Sequence, residues 1–503
     1  MGRRSGGEVL VLPYAIIEVD NTRAKITGDY SRSMVDLCTS FFVDGYQYDR
    51  AYLKGKWDGR RHLFDRTDET IPTFLLDKVL QTFRLYGVSY EVRDNRTTDR
   101  QRMHWRLPGR LSLRDYQEEA VSHILAKKVG IISIGTGGGK TLIAKAATAR
   151  LGRPTVFFVD KQSLLYQAKK SFEDLGVEVG QVGDGVVDVK DITIAMIQTC
   201  VRSLGGVHKK VDRDDEDDSA TDVSGQRGEM IRGMLSRASV IFWDECHRVA
   251  VETCYIISKH LSRAEYVVGL SATPFREDNA DMLLEAITGK VLLNIRSSWL
   301  IEHGYLVPPV IGFFEVGCDP KDAVKVYWRG KREVNHRVEH ARMYKKYIVQ
   351  NAERNAIVVE QVNNLNRLGK SCMVVVDRIQ HGKYLAKVLG CEFIYGEMGA
   401  YFRGNLFSDL QEKRIMRLVA MSKIAGEGLD VPSLDSIVNA GGGKSTIKTL
   451  QLVGRALREY PGKKRAYVVD FNDRAKYLVD HTQIRRRIYS SEPAYIVKDV
   501  KRQ

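Results

Sequence analysis

The sequence predicts an α/β chain with two tandem domains, each built on a parallel sheet, behind a small N-terminal α+β module. Short β-branched runs alternate with helical stretches from Leu111 to EYVVGL at 265–270. The alternation restarts at SCMVVV (371–376) and runs to AYVVDF (466–471). A glycine-rich turn, IISIGTGGGKT at 131–141, joins one of these strands to the alanine-rich stretch TLIAKAATA. Another strand, SVIFW at 239–243, runs straight into Asp244-Glu245. The expected boundaries are 1–107 for the accessory module, 108–304 and 305–480 for the two sheet domains, and 481–503 for a basic C-terminal tail.

The chain has 503 residues, room for more than one core. Its net charge of +15 favours a polyanionic partner, nucleic acid first. The seven cysteines include no CxxC pair, so neither a zinc site nor a disulfide framework is expected, and reduced thiols in a cytoplasmic setting are. The start, MGRRSGGEVLVLP, has no apolar core suited to a signal peptide, and no run of apolar residues is long enough to span a bilayer.

Within residues 1–107, VLVLPYAIIEV has strand density of β-branched residues. FFVDGYQYDRAYLKGKWDGRRHLFDR interleaves Tyr46, Tyr48, Tyr52 and Trp57 with Lys54, Lys56, Arg60, Arg61 and His62. The mixture suits base stacking with phosphate contact; it suits equally a twisted antiparallel sheet with an aromatic core and solvated charges. IPTFLLDKVLQTFRLYG reads as an amphipathic helix stopped at Gly87, and Arg93 to Arg110 as a polar linker.

From Leu111 the elements follow in order. LRDYQEEAVSHIL is a helix with Gln117 near its start, and TVFFVD (155–160) a buried strand. DITIAMIQT (191–199) is read as a strand ending at Gln198-Thr199. Asp212 to Asp222 is an acidic run read as a disordered insertion. In the second domain, residues about 320–355 read as a charged helical connector, and STIKTLQLVGRALREY (445–460) as a helix.

Two stretches carry chemistry. In the glycine-rich turn, Thr136, Gly137, Gly138 and Gly139 let the backbone curl so that its N–H groups face phosphate oxygens, with a helix N-terminus behind them. Lys140 would reach the outer phosphates, and the Thr141 hydroxyl would ligate Mg²⁺. Ile134 stands where the strict pattern wants a glycine. In Asp244-Glu245, one carboxylate would hold the metal and the next would act as general base on water. ATP and Mg²⁺ are the cofactors this pair predicts. A second run, Gly441-Gly442-Gly443-Lys444-Ser445, also follows a strand and opens a helix, but no acidic strand end follows it usefully. It is read as a turn facing the first domain, with contact to a DNA backbone a further role for it, and a second ATP site as the alternative.

The ordered set LRDYQ (113–117), TGGGKT (136–141), DECH (244–247), SATPFRED (271–278), GEGLD (426–430) and QLVGRALR (451–458) resembles a superfamily 2 helicase or translocase with two RecA-like motor domains. The resemblance runs from Leu111 to about Asp480. SATPFRED and HGYLVPP are similar to the XPB-related group, and GKWDGRRHLFD (55–65) to the N-terminal part of UvsW-type phage recombination helicases. Glu427 departs from the family by standing where many relatives carry arginine.

The resemblance implies roles residue by residue. Gln117, with Arg114 nearby, would read the adenine edge. Asp244 would hold Mg²⁺ and Glu245 activate water. Arg455 and Arg458 would be arginine fingers from the second motor domain, and Gln451 and His247 would sense the γ-phosphate. Gly428 and Asp430 would line the cleft. Ser271 and Thr273 would couple closure to the DNA track, with Gln198, Thr199, Lys54, Lys56, Trp57 and Arg60 as further coupling or nucleic-acid contacts. It implies an ATP-dependent DNA helicase, a monomer acting on forked or recombination DNA beside replication or recombination proteins. An RNA helicase, or the motor subunit of a restriction-type complex, are the alternatives.

Overall fold

The computed structural model describes residues 13–98, 112–205, 221–246, 251–272, 281–322, 336–425 and 431–500. They form two compact units, one of Met1–Ser133 with Lys140–Asn294, the other of Ile134–Gly139 with Ile295–Gln503.

The first unit opens with strands β1 (Tyr14–Val19), β2 (Arg23–Asp29), β3 (Ser40–Phe42), β4 (Arg60–His62), β5 (Thr70–Pro72) and β6 (Ser89–Asp94). Four of them make a sheet in the order β5-β2-β1-β6, and β3 and β4 form a separate pair. In β1, Ala15, Ile17 and Val19 alternate inward, as a sheet with one covered face requires. The expected amphipathic helix is shorter than its sequence signal. It spans Leu76–Leu85, because β5 and a 3₁₀ turn at Thr73–Leu75 take its first residues. Val79 and Phe83, one helical turn apart, close the core.

This module is not an independent bead. Its Leu63 and Leu75 belong to the hydrophobic core of the parallel domain that follows, together with Tyr255, Leu283 and Leu284. Ion pairs cross the same seam: Arg61–Glu252 at 2.7 Å, Lys78–Glu285 at 3.0 Å and Lys290–Asp77 at 3.1 Å.

The parallel domain contributes β7 (Val129–Ile134), β8 (Thr155–Val159), β9 (Val179–Gly183), β10 (Val186–Asp188), β11 (Ile192–Met196), β12 (Val240–Trp243), β13 (Tyr266–Ser271) and β14 (Val291–Ile295). Their order is β10-β9-β11-β8-β12-β13-β7-β14. Each residue of β8, β11 and β12 is buried, the unbroken apolar run expected of a parallel strand covered on both faces. The strand expected to end at Gln198-Thr199 stops at Met196, and those two residues open the helix Ile197–Ser203. The acidic run lies outside the described residues except for Thr221 and Asp222.

The second unit carries β15 (Pro309–Val316), β16 (Cys372–Val376), β17 (Phe393–Ile394), β18 (Arg417–Met421), β19 (Ser436–Asn439), β20 (Ala466–Asp473) and β21 (Ile496–Val500). They form one sheet in the order β17-β18-β16-β19-β20-β15-β21, with parallel pairs throughout. The expectation of a basic tail from 481 is corrected here. Helix Leu478–Ser490 packs on β20, and β21 extends the sheet beside β15. Burial of Thr482, Arg485, Ile488 and Tyr489 ties that helix down; counting charges alone hides it.

Candidate functional site

The glycine-rich turn sits at the C-terminal end of β7, and helix Lys140–Leu151 leaves from it. Gly137 and Gly139 have φ of 88° and 80°, where a side chain is strained. Ile134 is fully buried, and its Cγ2 lies 2.3 Å from where a Cβ on Gly138 would stand. The departure at 134 is therefore absorbed by the missing side chain at 138. The loop residues pack within the second unit: a Cβ on Gly137 would lie 3.2 Å from Leu306 Cδ2, and one on Gly454 would fall 2.4 Å from Thr136 Cβ. The glycine in QLVGRALR is thus a close approach of backbone to loop.

β12 ends two strands from β7 with β13 between them, and Asp244, Glu245 and Cys246 follow. The flanking amides are both held: Asp244 N–H donates to Phe158 O and Cys246 N–H to Leu270 O, each at 3.0 Å. Between them Glu245 has φ of 45°, a left-handed conformation that costs a non-glycine residue about 1–3 kcal/mol. That turn aims its carboxylate at Lys140, with Oε1 3.8 Å from Nζ. Burial pushes the Asp244 carboxyl up to about 7, with the Glu245 charge acting in the same direction and Lys140 opposing.

The other expected residues divide. Gln117 is buried, and its Oε1 accepts the Arg114 N–H at 3.0 Å, a capping contact at the start of helix Asp115–Lys127. Gln198 donates to Asp160 O at 2.8 Å, while Thr199 and Ser271 are fully buried. Gln451 is buried on helix Thr446–Ala456, which also carries Arg455. Arg458 lies beyond the helix end, paired with Leu306 in a short bridge, so the helix expected to reach 460 stops earlier. His247, Thr273, Gly428 and Asp430 lie outside the described residues.

In the N-terminal module, the Arg60 guanidinium lies 4.0 Å over the Phe42 ring, Phe42 stacks on Tyr46 at 4.7 Å, and Tyr52 meets Tyr46 edge-on at 4.9 Å. Trp57 donates its indole N–H to Arg60 O at 2.9 Å. Lys54 and Lys56 are exposed, and Tyr48 is 80% exposed. The aromatics pack on each other, as a small aromatic core requires, while Tyr48, Lys54 and Lys56 stay exposed along one edge.

Sequence reasoning missed Asp160 and the buried arginines. Asp160 follows β8 directly and adds to the upward push on Asp244; its signal was a carboxylate ending an apolar strand, as in β12. Arg354 and Arg485 are fully buried. The carbonyls of Ala440, Gly442 and Gly443 accept from these guanidinium groups, so the loop turns its backbone inward.

Among the described residues no three His, Cys, Asp or Glu side chains are grouped to hold a metal ion. A hydroxyl and a carboxylate, Thr141 and Asp244, are instead the hard-oxygen donors that fit Mg²⁺ carried largely by phosphates and water. Also among the described residues, no helix is long and apolar enough to cross a membrane.

Comparison with known proteins gives two family matches: residues 110–276 match "Type III restriction enzyme, res subunit", and residues 353–459 match "Helicase conserved C-terminal domain". The ATP-dependent DNA helicase uvsW of Enterobacteria phage T4 is 23% identical, over 92% of this chain and 94% of its own. Candidate helicase 22 of Sulfolobus islandicus filamentous virus is 24% identical over 71% of this chain, which spans 64% of that relative. Candidate DNA 3'-5' helicase Rad25 of Halobacterium salinarum is 25% identical over 81% of this chain, which spans 62% of it. Among solved structures, a fragment of a candidate HsdR subunit of a type I restriction enzyme from Vibrio vulnificus shares the fold. Its TM-score is 0.54 at 18% identity, covering 88% of this chain and 76% of that one.

Proposed function

We propose that the chain, which matches restriction-subunit and helicase C-terminal models and is similar to the UvsW and Rad25 helicases, is a superfamily 2 helicase that hydrolyses ATP to move along DNA, remodelling forked or recombination intermediates. The observation that carries the reading is Glu245, strained and aimed at Lys140 beside a glycine loop. A catalytic base held ready for water accounts for a carboxylate kept in that conformation beside a phosphate-binding lysine.

In this reading the amides of Thr136–Gly139 and the Lys140 ammonium bind the phosphates. Thr141 and Asp244 would hold Mg²⁺, which would neutralise phosphate charge when bound. Glu245 takes the proton of the attacking water, and Lys140 fixes that carboxylate's position. Arg455 and Arg458 supply positive charge to the phosphoryl group as it transfers, and Gln451 orients it. Gln117 and Arg114 set the base end of the nucleotide, with Gln117 positioned by its capping bond. Ser271, Gln198 and Thr199 link the nucleotide to the DNA track. The net charge of +15 supports a polyanionic track. Lys54, Lys56, Trp57 and Arg60, with exposed Phe42 and Tyr48, would add stacking and phosphate contacts from the N-terminal module.

The test is ATPase and unwinding on fork, Holliday, flap, single-stranded and RNA substrates. Unwinding and ATPase activation strongest with branched DNA support the reading. Activation by RNA with none by DNA replaces it with an RNA helicase.

A further inference from the structure

We infer that Arg485 is a positioning residue for the helix that carries Arg455 and leads directly to Arg458, an inference that rests on the ATP-hydrolysis reading above. Four successive carbonyls lead from β19 towards that helix, and each accepts a hydrogen bond from a buried or nearly buried side chain. Ala440 O accepts from Arg354 Nη1 at 2.6 Å, and Gly441 O from the Tyr344 hydroxyl at 2.6 Å. Gly442 O and Gly443 O accept from one nitrogen, Arg485 Nη1, at 2.8 and 3.0 Å. Helix Thr446–Ala456 begins just beyond.

The guanidinium is itself held from behind. Arg485 Nε lies 3.1 Å from both carboxylate oxygens of Asp470 on β20, and Nη2 donates to Phe471 O at 3.2 Å. Asp470 also accepts from the Tyr489 hydroxyl at 2.9 Å and from Asn439 Nδ2 at 3.1 Å. Asn439 returns to the loop, its Oδ1 accepting Gly442 N–H at 3.3 Å. Arg485 therefore ties the sheet, the last long helix and the loop that launches the arginine helix into one network.

A buried arginine–carboxylate pair is poor value as stabilisation, because desolvating both charges consumes most of their attraction. Conformational selection accounts for it better. Three consecutive glycines leave a loop with many accessible conformations, and these carbonyl contacts select one. The direction in which helix Thr446–Ala456 leaves the sheet then fixes where Arg455 and Arg458 stand. Misplacing a catalytic group by about 1 Å costs about 10²-fold in rate.

The substitution Arg485→Lys keeps a positive charge for Asp470, but one ammonium cannot also span both carbonyls. With folding verified by thermal melting, kcat for nucleic-acid-stimulated ATP hydrolysis is expected to fall about tenfold or more. KM for ATP and the Kd for DNA should stay within about twofold. If Arg485 acts through Arg455, the double variant R485K/R455A should be no slower than Arg455→Ala alone, because residues acting as a unit are non-additive. Wild-type kcat in folded R485K, or losses that multiply in the double variant, overturns the inference. Should R485K not fold, Asn439→Ala cuts the loop's other tether: the same kcat-selective, non-additive loss supports the inference, and an unchanged kcat overturns it. Absence of ATP hydrolysis in the wild-type chain would instead sink the functional reading beneath it.

Discussion

Glu245 Oε1 stands 3.8 Å from Lys140 Nζ, although the two residues leave different strands of the first parallel sheet. The approach is made by a left-handed turn at Glu245, pinned by the backbone bonds of its two neighbours. Replacing Glu245 by Gln keeps the shape and removes the proton acceptor. ATP hydrolysis should fall about 10²- to 10⁴-fold, while binding of a non-hydrolysable ATP analogue is retained. Steady-state ATPase beside a fluorescence titration measures both; a turnover within threefold of wild type rules out Glu245 as the base.

Gly454 faces Thr136 so closely that a Cβ would fall 2.4 Å from the threonine Cβ. Gly454→Ala must therefore shift the loop or the arginine helix. Its helix propensity improves by about 0.8–1 kcal/mol, so a melting temperature near wild type with turnover lowered at least tenfold is the expected pattern. Unchanged turnover would show that the approach is not needed for catalysis.

The N-terminal module should not be removable without damage. Leu63 and Leu75 are buried in the core of the next domain, against Tyr255, Leu283 and Leu284. Leu75→Ala should cost about 2–5 kcal/mol, read as a lower urea midpoint. A chain lacking residues 1–107 should melt earlier and aggregate. If it melts at the wild-type temperature, the shared core contributes nothing to stability.

His381 gives an acid-sensitivity with a defined sign. It is fully buried with Nε2 2.8 Å from Asn355 Oδ1, while Nδ1 has no partner and the Arg354 charge is near. Burial first, then Arg354, lowers its pKa from 6.5 to about 3. Below pH 6.5 the unfolded chain takes up a proton that the folded chain refuses, so this contribution is intact above pH 6.5 and is lost as the pH falls towards 3. By pH 4.5 the loss reaches about 2–3 kcal/mol. Thermal melts at pH 7.5 and 5 should show a larger drop for wild type than for His381→Gln; equal drops contradict this origin.

Much of this architecture was readable because parallel strands buried on both faces announce themselves as unbroken apolar runs, as TVFFV and VIFW do. The loop and the Asp-Glu pair were readable because their chemistry is local in sequence. What escaped depends on tertiary placement. Nothing in the basic letters after Arg474 distinguishes half-buried Arg486 from fully buried Arg485, since only Asp470 and the glycine carbonyls make the difference. Likewise Leu63 looks like a module's own residue until the helices Val251–Ser258 and Asp281–Thr288 supply its core. Gln198 and Thr199 look like strand until the chain turns at Ile197.

ATP-driven movement on DNA is read out by ATPase rates at low salt with and without forked DNA, for wild type and for Lys140→Ala. Low salt matters because phosphate contacts weaken steeply with ionic strength. Wild type should be strongly stimulated by DNA, and the Lys140→Ala protein should still bind DNA but not hydrolyse ATP. Equal wild-type rates with and without DNA, or hydrolysis surviving in Lys140→Ala, would contradict an ATP-driven motor on DNA.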